Sequence, residues 1–264
     1  MTTSLTKLLA SARDEDGARR LDVPDDWMQG RSVFGGLQVA FALQAMRELA
    51  PHAPLRTLQA TFIGPVAGSV RARAQVLRTG KNATHVEARL GDDGATQTIV
   101  LGVFGTARSS QVARAPVPQA LDPNEPAKLE LPFGTTTVGP SFMRHFRVRW
   151  LRGQPPFSGG RESEQILELA TDDDGPACEA TIVALADFIP PIAFSQLSAP
   201  AAGSTLTWML ELLTDRVDHL PTSGFRVEAE MVAAGSGYTS QVVKLFAASG
   251  EAIALGHQSM LVFG

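Results

Sequence analysis

One charged residue, Asp187, stands in the stretch ATIVALADFIPPIAF among Ala, Val, Ile, Leu and Phe. An ionised carboxylate left unpaired in an apolar interior costs several kcal/mol, so its presence needs a reason. A carboxylate can polarise a water or take its proton. A hydroxyl and a primary amide can hold the same water through its lone pairs and hydrogens. Thr205 in STLTWM and Gln258 in ALGHQSMLVF supply those two groups further along the chain. Together the three suit one task, orienting and activating a water, and none is a convincing nucleophile. Taken singly, each has a plainer role. Asp187 fits a solvent-facing helix end, Thr205 an ordinary β-branched strand position, and Gln258 a residue satisfying backbone groups at a sheet edge.

Duplication singles them out. AQVLRTGKNATHVEARLGDDGATQTIVLGVFGTA from Ala74 and AEMVAAGSGYTSQVVKLFAASGEAIALGHQSMLVFG from Ala229 both read strand, glycine turn, strand, glycine turn, strand. Gly80 matches Gly235 and Gly94 matches Gly250 at nearly the same separation. RTLQATFI from Arg56 resembles STLTWMLEL from Ser204, which sets Thr57 opposite Thr205. FRVEAEM alternates apolar and polar residues as a half-buried strand should. An Ala-rich apolar helix precedes the strands in each half, over Gly35 to Leu49 and about Pro176 to Ile189. The acids of TDDDGP favour the second helix start, and Pro190-Pro191 stops it.

The fold expected is α+β. Each half is a helix followed by an antiparallel meander of about four strands, because short hairpin turns force neighbours antiparallel. Two such repeats, residues 1–106 and 135–264, join their sheets as an intramolecular pseudo-dimer. Residues 107–134, with five prolines, form the linker. The first helix, VFGGLQVAFALQAM, has no acid, the counterpart of Asp187 falling near Ala42, and VLGVFG has no Gln. Only the second half holds Asp, Thr and Gln together. Gly35 and Gly36 open the first helix, where glycine lets a backbone approach a ligand closely and free N–H groups suit a developing negative charge. That sets the site between the halves; a simple helix-start and packing role for the two glycines stays open.

A net charge of −4 gives no general attraction to nucleic acid. The single cysteine, Cys178, excludes internal disulfides and cysteine-rich zinc sites and fits a reducing, cytoplasmic compartment. The N-terminal residues lack the apolar core of a signal peptide, and no run is long enough to span a membrane. G-x-S-x-G, Walker, G-x-G-x-x-G and H-E-x-x-H motifs are missing, and the five histidines lack ligand spacing, so neither metal nor organic cofactor is expected. Arg147 and Arg149 of MRHFRVRWLRG share a strand face that reads as solvated.

SVFGGLQVAFAL, LQATFIGPVAGSVRARAQVLRTGKNATHVEARL, ALADFIPPIAF, STLTWM and ALGHQSMLVF, in this order, resemble the acyl-CoA thioesterase II-type double hotdog family over nearly the whole chain. The resemblance implies an antiparallel sheet wrapped around a long helix, twice per chain. It also implies hydrolysis of acyl-CoA thioesters by a water held among an Asp, a Ser or Thr, and a Gln. Those positions fall on Asp187, Thr205 and Gln258. Exposed sheets of this kind commonly pair, so a homo-oligomer is expected. The chain departs from the family where Leu206 and Thr207 follow the hydroxyl residue in place of a small apolar residue and Asp, and where TWMLEL replaces His-rich neighbours. Two other readings stand beside it. A double hotdog enoyl-CoA hydratase or dehydratase would pair the Asp with a His on the helix, and FIPPIAF after Asp187 has none. A non-catalytic acyl-CoA-binding protein would bind the same ligand without cleaving it.

Overall fold

The computed structural model describes residues 2–92 and 94–263; Met1 and Gly264, the outer ends of the two expected repeats, lie outside the described residues. In chain order the elements are α1 (Leu5–Ala10), β1 (Arg13–Glu15), β2 (Ala18–Asp22), β3 (Met28–Gln29), β4 (Ser32–Val33), α2 (Gly35–Arg47) and β5 (Leu55–Phe62). Next come β6 (Ser69–Thr79), β7 (Ala83–Asp92), β8 (Ala95–Gly105), β9 (Leu129–Leu131), β10 (Phe146–Arg152), β11 (Glu164–Thr171), α3 (Glu179–Asp187) and α4 (Ala193–Gln196). The last four are β12 (Ala202–Leu212), β13 (Phe225–Gly235), β14 (Tyr238–Phe246) and β15 (Ala252–Phe263).

Thirteen strands form one sheet in the order β1-β2-β6-β7-β8-β5-β12-β15-β14-β13-β11-β10-β9, while β3 and β4 pair separately. The order mirrors itself about β5 and β12, which pair antiparallel and join the two halves. The expected pseudo-dimer with joined sheets is therefore the observed one. The turns that drive it are local. Ser236 and Gly237 both have positive φ, 51° and 79°, as a two-residue hairpin between β13 and β14 requires.

The meander is shorter than expected. It covers β6, β7 and β8, and β5 lies on the far side of β8 rather than beside β6. The cause is residues 63–68, a crossing loop and not a tight hairpin; the Gln97 side chain holds it by donating to the Pro65 carbonyl at 2.7 Å. β12 pairs with β15 in the same manner.

α2 packs on β6, β7 and β8, α3 packs on β11, β13, β14 and β15, and the two helices pack against each other. Their crossing is tight because Gly36 has no side chain: a Cβ there would lie 3.0 Å from Ala184 Cα. α3 starts at Glu179, later than Pro176, because Cys178 and Thr181 cap it reciprocally. It ends at Asp187, ahead of the prolines that bar further helix.

Within residues 107–134, β9 pairs with β10. The Gln119 N–H donates to the buried Glu228 at 2.8 Å, and its carbonyl accepts from Arg226 at 2.6 Å. Arg149 bonds Glu130 and Glu168, while Arg147 lies over the Phe133 ring.

Candidate active site

The site is built where the C-terminal end of α3 meets the N-terminal end of α2. Phe34, at the N-cap of α2, supplies no capping side chain. The first intrahelical bond runs from Gln38 N–H to Phe34 C=O, at 3.1 Å. The N–H groups ahead of Gln38 are thus free of helical partners. Asp187 comes from the other half to meet them, and the Gly36 N–H acts to lower the proton affinity of its carboxylate. Gly35 is glycine for want of space: a Cβ there would sit 2.7 Å from Asp187 Oδ2 and 3.3 Å from the Phe62 ring.

Aromatic packing fixes both approaches to this junction. Phe34, just before Gly35, stacks on Phe142 with centroids 4.0 Å apart. Phe188, just after Asp187, meets Phe142 and Phe146 with centroids 5.9 and 4.8 Å away.

The inner face of the sheet supplies the amides. Directly paired residues of neighbouring strands share a face, and one such row runs Gln241, Gln258, Trp208, Ala60, Val100. All are buried, and the two glutamines are the polar members of that stretch. Gln258 Nε2 donates to Asp187 Oδ1 at 2.7 Å, Gln241 Nε2 to Gln258 Oε1 at 2.8 Å, and the Ile192 N–H to Gln241 Oε1 at 3.0 Å.

Thr205 reaches the same face through a bulge. Register shifts between Thr205 and Thr207, so Thr205 pairs with buried Met260 while Thr207 pairs with Ser259 and points outward. The extra residue, Leu206, turns Thr205 inward beside the glutamine row. The Thr205 hydroxyl makes no hydrogen bond among the described residues, so its bonding capacity is free.

Burial raises the Asp187 carboxyl from its ordinary 3.8 to about 7, while the Gly36 N–H and the Gln258 amide act to lower it. Part of the residue still reaches solvent, but the carboxyl group itself is desolvated, and that decides its proton affinity. Capping α2 does not account for this. A cap is worth about 1 kcal/mol, whereas a rise of that size costs the ionised form a few kcal/mol. A carboxylate that titrates near neutrality, at helix N–H groups and facing a sheet that carries a free hydroxyl, can exchange a proton with water at ordinary pH.

Asp187, Gln258, Gly35 and Gly36 are thus in direct proximity, and Thr205 lies on their face without bonding to them. Two expected matches between the halves change. β5 has its own bulge between Leu55 and Thr57, so Leu55 is the counterpart of Thr205, and Thr57 that of Thr207. In the same alignment Gly102 is the counterpart of Gln258, since it pairs with Leu58 and Val86 as Gln258 pairs with Trp208 and Gln241. A Cβ on Gly102 would lie 2.7 Å from the Met46 sulfur, so Met46, rather than Ala42, is the side chain set against the position that matches Gln258. Gln241 was missed from the sequence. Its signal was alternation: YTSQVVKLF turns Thr239, Gln241, Val243 and Leu245 inward, which puts an amide in a core row.

Residues 23–107 match the acyl-CoA thioesterase N-terminal domain, and residues 116–262 match the acyl-CoA thioesterase C-terminal domain. The chain belongs to the acyl-CoA thioesterase family. It is an enzyme of thioester hydrolysis. Comparison with curated proteins gives no match.

Solved structures carry the same fold. A conserved hot dog fold protein of Alicyclobacillus acidocaldarius is 20% identical to this thioesterase, with TM-score 0.88 over 100% of this chain and 99% of that one. The tesB protein of Mycobacterium avium subsp. paratuberculosis is 14% identical, with TM-score 0.77 over 98% of each chain. An acyl-CoA thioesterase II of Mycobacterium marinum is 16% identical, with TM-score 0.73 over 98% of each chain. Among the described residues of the thioesterase, no helix is long and apolar enough to cross a membrane, and no group of three or more His, Cys, Asp or Glu is arranged to hold a metal ion.

Proposed function

We propose that this thioesterase hydrolyses acyl-CoA thioesters to the free acid and CoA with a water oriented by Asp187, Thr205 and Gln258. The observation that carries the reading is the Asp187 carboxyl, desolvated to a proton affinity near neutrality and held by the Gln258 amide, with no cation acting on it. The ionised carboxylate takes a proton from the water as the water oxygen bonds to the thioester carbon. Thr205 fixes that water through its free hydroxyl, and Gln258 holds the carboxylate by its Nε2. Negative charge on the carbonyl oxygen faces the first-turn N–H groups of α2, where Gly35, without a Cβ, lets Asp187 approach them. Collapse of the tetrahedral intermediate breaks the C–S bond, and the proton on Asp187 passes to the departing sulfur.

The same reading divides the chain into repeats 1–106 and 135–264 around residues 107–134. It puts the enzyme in the cytoplasm, a reducing compartment that a single free cysteine fits, and has it act as a homo-oligomer. It is tested by incubating the protein with acyl-CoAs of increasing chain length and following free thiol. Release of thiol at one or more chain lengths is expected. Measurable binding with no thiol released at any length would leave a non-catalytic acyl-CoA-binding protein instead.

A further inference from the structure

Gln241 lies outside any direct contact with Asp187, yet it is fully buried and hydrogen-bonded at both ends. The order of its bonds matters. A backbone N–H can only donate, so the Ile192 N–H fixes the Gln241 oxygen toward itself. The Gln241 Nε2 is then turned toward Gln258 and must find an acceptor, which is Gln258 Oε1. That choice turns Gln258 Nε2 toward Asp187. Each amide has one orientation that satisfies its neighbours, and the sense of the chain originates in the backbone of the segment between α3 and α4.

We propose that Gln241 is a positioning residue of this site. By relaying the direction of the Ile192 N–H, it holds Gln258 as a donor to Asp187 and so keeps the carboxylate available as a base. The inference rests on the functional reading given above. Without Gln241 the Gln258 amide is free to reverse. The reversed amide offers its oxygen to Asp187, which then favours the protonated acid, a donor, over the carboxylate. The groups acting on the Asp187 proton are burial, the Gly36 N–H from α2 and Gln258 from β15, with no charged side chain among them. The relay through Gln258 is thus the polar influence that the sheet exerts on this carboxyl.

The test compares pH–rate profiles for hydrolysis of an acyl-CoA that the wild-type protein cleaves. Gln241→Met keeps nearly the same volume and carries no charge or amide. The relay predicts a fall in kcat of about tenfold at neutral pH with KM nearly unchanged. It also predicts that the midpoint of the kcat profile moves to higher pH by about one unit. A folded Gln241→Met protein with wild-type kcat and midpoint overturns the proposal. Should that variant not fold, the wild-type protein answers the same question by nuclear magnetic resonance. The side-chain amide signals of Gln241 and Gln258 should both shift with the ionisation of Asp187 and both lose that shift in Asp187→Asn. A Gln241 signal indifferent to pH, beside a Gln258 signal that titrates, also overturns it. The two readings fail separately. A fully active Asp187→Asn removes the functional reading and the relay with it. An inactive Asp187→Asn beside an unaltered Gln241→Met removes only the relay.

Discussion

In the second half of the sheet the row Trp208, Gln258, Gln241 faces Asp187, and in the first half the matching row Leu58, Gly102, Val86 faces Met46. The backbone is the same in both: a central strand with a bulge near its start, a long neighbour paired antiparallel, and the end of a helix laid across them. The chemistry differs where the second half is polar: Gly102 and Val86 stand where Gln258 and Gln241 do. Leu55 stands where Thr205 does, and the space left by Gly102 is filled by a methionine side chain that is fully buried. The first half shows that this register packs well with apolar groups alone. The polar set of the second half is therefore no requirement of the fold. It keeps a carboxylate at a proton affinity that core packing would never select, and that is what a hydrolytic site needs.

The largest expected effect comes from forcing the second half's chemistry onto the first. Met46→Asp would bury a carboxylate against Gly102 with no amide side chain in place of Gln258 to hold it. It should destabilise the protein by about 3–5 kcal/mol, read from the midpoint of denaturant unfolding. Wild-type stability in that variant would mean that the two rows are not equivalent environments.

A second comparison sets Gln258→Ala against Gln97→Ala, two glutamines of strands that match between the halves. The first removes the donor to Asp187 and should lower turnover by about 10- to 100-fold. The second loses only a bond to a loop carbonyl and should turn over acyl-CoA at the wild-type rate. Equal losses in both variants would move the active site elsewhere.

Gly35→Ala sharpens the contrast between the two opening glycines. Its methyl group would press on Asp187 Oδ2 and Phe62, so kcat should fall by about 3- to 10-fold at little cost in thermal stability. In Gly36→Ala the methyl group meets the Phe34 ring and the α3 backbone, so its loss should appear mainly in stability. Reversal of that pattern would show that Gly35 has a packing role alone.

Much of this was legible in the sequence because it repeats. The glycine turns gave the hairpins, and the lone acid in ATIVALADFIPPIAF gave Asp187. What escaped depends on register across strands. Aligning Thr57 with Thr205 overlooks that each central strand holds one extra residue in a bulge, and a bulge changes which side chain turns inward without any mark in composition. A counterpart near Ala42 falls a turn short of Met46, the side chain that meets Gly102, and the two helices differ in length and in how they start; α3 begins only where Cys178 and Thr181 cap it. Gln241 was in plain view on an inward position, but its role depends on Gln258 and Ile192, which meet it only in the folded chain.

The most direct measurement is the pH dependence of turnover and of stability in wild type and Asp187→Asn, from about pH 5 to about pH 9. Wild-type kcat should rise with pH through a midpoint near 7 and then level, because the ionised carboxylate is the active form. In Asp187→Asn, kcat should be lower by about 10²- to 10⁴-fold and show no such midpoint. Stability should move the other way. The folded state holds the Asp187 proton more tightly than the unfolded chain does, so the wild-type contribution is most favourable below about pH 4 and is lost as pH rises toward 7. Asn carries no such loss, so the variant should be the more stable protein above pH 7, by an amount that shrinks in acid. An Asp187→Asn protein that hydrolyses acyl-CoA at the wild-type rate, with the same midpoint near 7, would contradict the account.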